Sequence, residues 1–126
     1  MRKKIIFPCS RYPRLSEELM TRICSALQLR IEVLISGRNS KEVACARQVI
    51  CHLFCSFSDL SFGQIGTLIG RSRPAVYYNN SEAIKHLQTK DQLFVNYWLK
   101  SIRIILKSMD ELPLEMFEKK QYIRCK

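Results

Sequence analysis

Arg73, directly after Ser72 and directly before Pro74, is the side chain in this sequence best suited to reading a base. A guanidinium at the start of a helix can donate in a fork to O6 and N7 of guanine in the DNA major groove. Such a contact discriminates between bases by about 1–3 kcal/mol. Tyr77, Tyr78 and Asn79 follow on the same stretch, and whichever of them face outward can touch phosphate or a thymine methyl. At least part of the Tyr77–Tyr78 pair is expected in the core beside Val76 and Ile84, and a solvated surface arginine is the plain alternative for Arg73.

A reader of this kind has to be held clear of the body of the protein, and the stretch from Ser61 to Leu87 supplies the means. Ser61 and Gln64 form an S-x-x-Q capping box at a helix start. Phe62, Ile65, Leu68 and Ile69 then recur at helical spacing as one apolar face. Gly70 can take the left-handed conformation that ends a helix. Ser72 is the next N-cap, and Pro74 falls in the first turn of the following helix, where its missing N–H costs nothing. Two helices joined by a tight glycine turn make a helix-turn-helix, whose second helix commonly enters the major groove.

The rest of the chain reads as support for that unit. Its 126 residues suit one domain, and a net charge of +10 favours a polyanionic partner, nucleic acid before an anionic membrane surface. Residues 1–15 form a basic arm with Arg2, Lys3, Lys4, Arg11 and Arg14, punctuated by Pro8 and Pro13. It is either a solvated tail or a segment that tracks phosphates or a minor groove. A domain is expected over 16–109 and a basic tail over 110–126.

Within the domain, Ser16 is expected to cap a first helix with Leu19, Ile23 and Leu27 on its apolar stripe. A short helix or turn covers Arg30 to Ile35 and ends at Ser36-Gly37. A third helix runs from Lys41 to Phe57, with Val43, Ala46, Ile50, Leu53, Phe54 and Phe57 inward and Arg47 and Gln48 off that stripe. After a break at Lys90-Asp91, a long helix spans about Gln92 to Met109. Its stripe of Phe94, Trp98, Ile102, Ile105 and Met109 is broadened by Val95, Leu99 and Leu106, which fits a core helix or an oligomer contact. No strand is convincing, so the fold class is all-α, a compact helical bundle containing a helix-turn-helix.

Other chemistries find little support. No apolar run approaches the roughly 20 residues that span a bilayer, so no membrane partner is expected and cytoplasmic residence is the default. The six cysteines lack a C-x-x-C pair and read as reduced, mostly buried thiols, and no metal or other cofactor is expected. There is no G-x-x-x-x-G-K-[ST] phosphate loop. His52 and His86 stand without a serine or carboxylate arrangement, as structural histidines do, so the chain is not expected to be an enzyme.

Read together, the segments "LISGR", "ARQ", "DLSFGQIG", "IGR" and "AVYY" resemble, in order and separation, the C-terminal DNA-binding domain of the bacterial replication initiator DnaA. The similarity covers about Glu17 to Leu87. The resemblance implies a compact helical domain that binds double-stranded DNA. It also implies roles by position. Arg47 and Gln48 match the pair that grips phosphates. Arg38, Asn39 and Lys41 fall in the basic loop that reaches the minor groove, with Asn39 at the family's arginine, so that Arg38 or Lys41 takes its task. Ser61 and Gln64 match the start of the helix over the backbone, and Ser72, Arg73, Pro74 and Ala75 occupy the base-reading turn.

The chain also departs from that pattern. Ser72-Arg73-Pro74 replaces aspartate-histidine-threonine, Gly63 stands at a proline, and one glycine instead of two precedes Arg71. The register is therefore open by one residue, which decides whether Arg71 or Ser72 holds the family's arginine position. The expectation is a sequence-preferring duplex DNA binder in replication initiation or transcription control, with a phage or mobile element as one setting. A replication or transcription protein is a further partner to consider. The alternative is a protein–protein adaptor that uses the apolar last helix. The oligomeric state and the DNA site stay open.

Overall fold

The computed structural model describes residues 6–111, and within them the chain is a bundle of six helices. These are α1 (Pro13–Ala26), α2 (Ile31–Ile35), α3 (Lys41–Phe57), α4 (Phe62–Ile69), α5 (Arg73–Thr89) and α6 (Gln92–Glu111). Among the described residues the sole β-type pairing is an isolated parallel bridge between Phe7 and Ser58. No described helix is long and apolar enough to cross a membrane. The expected basic tail beyond Glu111, the residues Arg2, Lys3 and Lys4, and Cys125 lie outside the described residues.

The centre of the bundle is α3, which touches every other helix and packs most extensively on α5 and α6. Ser40 caps it, accepting from Val43 N at 3.3 Å. Val43, Ala46, Val49, Ile50, Leu53 and Phe54 are buried in the shared core with Leu19, Ile23, Ile65, Ile69, Val76 and Phe94. Burial extends well round the helix, as a central position requires. The Lys90–Asp91 break forms as expected: Lys90 adopts a left-handed φ of 58°, and Asp91 Oδ2 accepts from Phe94 N at 3.0 Å to open α6.

Three expectations need correction. First, α1 starts at Pro13, not after Ser16. Proline at the first helical position presets φ, and Ser16 lies buried inside the helix with its Oγ donating to Pro13 O at 2.8 Å.

Second, the described part of the arm is not a tail. Phe7 is fully buried against Leu19, Ile23, Leu53, Phe54 and Ile105. Its N–H donates to Phe57 O at 2.6 Å, and Ser10 donates through N and Oγ to the Asp59 carboxylate at 2.9 and 2.6 Å. Burying a phenylalanine here outweighs the basic, proline-punctuated character of the segment, since that single side chain contributes about 1.5–3 kcal/mol.

Third, the expected stripe of α6 packs on the core, but Leu99 and Leu106, expected to broaden it, do not. Phe94, Ser101, Ile105 and Ser108 are buried, Trp98, Ile102 and Met109 are half-buried, and Leu99 and Leu106 are exposed. Ser108 Oγ accepts from Arg22 NH1 at 3.1 Å, which ties α6 to α1.

Candidate nucleic-acid interface

The helix-turn-helix is built from α4, Gly70 to Ser72, and α5. Ser61 Oγ accepts from Gln64 N at 3.2 Å while Gln64 Oε1 accepts from Ser61 N at 2.9 Å, so both halves of the capping box form. Gly70 closes α4 at φ 71°, ψ 36°, and a Cβ there would stand 2.9 Å from Cγ2 of Ile35. Gly66 has a different task that was not evident from the sequence. Its carbonyl accepts from Arg71 N at 2.8 Å, and a Cβ on it would collide with the Arg71 carbonyl. The chain can therefore turn tightly against α4. Ser72 Oγ then accepts from Ala75 N at 3.3 Å and Pro74 sits in the first turn of α5.

The basic loop is tied to this turn by two arginines. Arg47, only 4% exposed, donates from Nε to Leu34 O at 2.8 Å. Its NH2 donates to Ser36 O at 2.8 Å and Arg38 O at 2.6 Å, and NH1 reaches Asn39 Oδ1 at 3.5 Å. Arg71 donates from NH1 to Ile35 O and Gly70 O, both at 3.0 Å, and from NH2 to Ser36 O at 2.7 Å. Burial, followed by the neighbouring Arg71 charge, pulls the Arg47 guanidinium below its ordinary pKa. The expected placing of Arg47 off the buried stripe is thus corrected. Its donors are turned inward onto backbone carbonyls, because the loop at 34–38 leaves those carbonyls without helical partners.

Around this clamp the structure sorts the remaining expected site residues. Arg38, Asn39 and Lys41 are exposed on the loop and the first turn of α3, and Gln48 is half-buried. Ser61 and Gln64 are exposed at the opposite end of α4 from the turn, with Gln64 Oε1 engaged in the cap. Ser72, Arg73 and Pro74 are exposed at the start of α5, Arg71 and Ala75 half-buried. Tyr77 and Tyr78 are 61% and 62% exposed, so neither belongs to the core; Val76 and Ala83 fill that role on α5, with Leu87 packed beside the core. The ring of Tyr77 meets that of Phe62 edge-on, with centroids 5.8 Å apart.

The histidines are both engaged. His52 Nδ1 lies 3.0 Å from Asn80 Oδ1, and His86 stacks on Phe94. Among the described residues no group of three or more His, Cys, Asp or Glu side chains could hold a metal ion.

Fold and site together define a helical domain whose helix-turn-helix carries a basic loop clamped to its turn. Over 84 residues the chain is 31% identical to the chromosomal replication initiator protein DnaA of Synechocystis sp., a match covering 67% of this chain and 19% of that protein. The chain thus spans about a fifth of the length of the relative that it matches, and the likeness supports a DnaA-like relationship over that stretch. No family model matches the chain.

Proposed function

We propose that this chain binds double-stranded DNA with a sequence preference, laying the start of α5 in the major groove with Arg38 and Lys41 against the neighbouring backbone or minor groove. The observation that carries the reading is the exposed Arg73 at the start of α5, with the basic loop bonded to the same turn through Ser36. A net charge of +10 supplies the attraction to phosphate. The relative is named as a replication initiator, so replication initiation is the favoured setting and transcription control the second. The chain acts as a binder and not as an enzyme.

Selection of duplexes from a random pool tests this. The wild-type chain should enrich a defined motif, and Arg73→Ala should bind with a flatter base preference. Enrichment of no motif by the wild-type chain would reject the sequence preference.

One observation favours a second reading, a protein adaptor. Leu99 and Leu106 are exposed on α6 among Lys100, Arg103 and Lys107. Sedimentation separates the two, since a monomer that binds duplex supports the first reading and a self-associated species indifferent to DNA the second.

A further inference from the structure

Over its first two turns, residues 73–80, the outward face of α5 has few groups that can hydrogen-bond a base edge. Its first, second, fifth and sixth residues are Arg73, Pro74, Tyr77 and Tyr78, and all four are exposed. Ile84, also exposed, continues the strip two turns beyond Tyr77. The side chains best suited to the paired contact with adenine N6 and N7 would be Asn79 and Asn80. Both are engaged elsewhere, Asn79 donating to Ala75 O at 2.9 Å and Asn80 bonded to His52 at 3.0 Å.

What remains outward on those two turns beside one guanidinium is a pyrrolidine ring and two phenol rings, and Phe62 of α4 meets the first of those phenols edge-on. In the major groove the base-edge group that matches an apolar surface is the 5-methyl of thymine. Resting on the proposed DNA binding, we infer that Pro74, Tyr77 and Tyr78 select thymine by its 5-methyl group, while Arg73 is the fork donor to guanine. Preferred sites therefore place thymines next to a guanine. Specificity on this surface comes from apolar contact more than from hydrogen-bond readout.

The test uses duplexes recovered by selection with this chain, each synthesised once with thymine and once with deoxyuridine. The replacement removes only the methyl and leaves every hydrogen-bonding edge in place. Burial of one methyl predicts about a fourfold loss of affinity per contacted thymine. Tyr78→Ala, at a mostly exposed position, should shrink the difference by about the fourfold of the one thymine it contacts, and leave the share of Pro74 and Tyr77. Tight binding that is indifferent to deoxyuridine overturns the methyl readout and leaves DNA binding standing. Absence of duplex binding by the wild-type chain overturns both.

Discussion

Arg47 and Arg71 donate to the same acceptor, the Ser36 carbonyl, at 2.8 and 2.7 Å. One comes from the central helix α3 and the other from the turn before α5, so a single backbone oxygen joins the basic loop to the helix-turn-helix. Their other acceptors are neighbouring backbone carbonyls and the Asn39 amide. Two like charges are therefore held side by side by carbonyl dipoles, which adds to the positive potential beside the exposed Arg38 and Lys41.

This relationship divides the labour between the two arginines. Arg47→Ala takes its donors from the Leu34 and Arg38 carbonyls and leaves Ser36 O with Arg71 alone, which should cost about 3 kcal/mol of stability. Arg71 is half-buried, and Arg71→Ala should cost about 1 kcal/mol while releasing the loop from the turn, though not from Arg47, and weakening DNA binding. Urea unfolding of each variant, with binding corrected for the folded fraction, checks this. An Arg47→Ala protein of wild-type stability with a shallower salt dependence would return Arg47 to the phosphate role.

The turn allows a comparison of two glycines. Gly70→Ala requires a Cβ at φ 71° close to a side-chain methyl of Ile35, and should destabilise by about 1–2 kcal/mol. Gly66→Ala drives a Cβ into backbone, the Arg71 carbonyl, which cannot swing aside as Ile35 can. It should be the more damaging change. Thermal melts of the two variants rank them, and a milder Gly66→Ala would mean that the turn shifts without consequence.

The core thiols give the protein a pH dependence on the alkaline side. Burial is the largest cause of each shift. It pushes Cys9 and Cys51 from 9.0 to about 12, and Cys24, Cys45 and Cys55 from 9.0 to about 11. The folded state holds these protons more tightly than the unfolded chain. Their contribution is therefore complete below about pH 9 and is lost as pH climbs towards 12. The urea midpoint should fall between about pH 8 and about pH 10.5, less steeply in Cys51→Ala. A midpoint that is flat across that range in the wild-type chain contradicts the assignment.

Much of the helix-turn-helix is legible in the sequence, because its signals lie within a few residues of each boundary. Ser61 with Gln64, Gly70, Ser72 with Pro74, and Lys90-Asp91 all act through local backbone bonds, and each forms where the spacing predicts. The misplacements are tertiary. Phe7 is buried by residues of α1, α3 and α6, and nothing beside it in the chain signals that. Arg47 has the type of a surface residue and is turned inward by carbonyls from a loop several residues earlier. On α6 the stripe of Phe94, Trp98, Ile102, Ile105 and Met109 packs on the core, while Leu99 and Leu106, which the apolar pattern adds to that band, face out. The exposure of both Tyr77 and Tyr78 belongs to the same class, since only the packing of α5 on α3 and α4 sets which face looks out.

The central claim, that the clamped loop and the start of α5 form a DNA-binding face, is tested most directly by duplex affinity measured across salt concentration. Contacts to about four phosphates give a slope of about −3.6 in log Kobs against log salt, which is roughly a hundredfold loss between about 50 and about 200 mM. Paired substitution of Arg38 and Lys41 by alanine should reduce that slope by about 2. An affinity for duplex DNA that stays flat from low to moderate salt would contradict the claim.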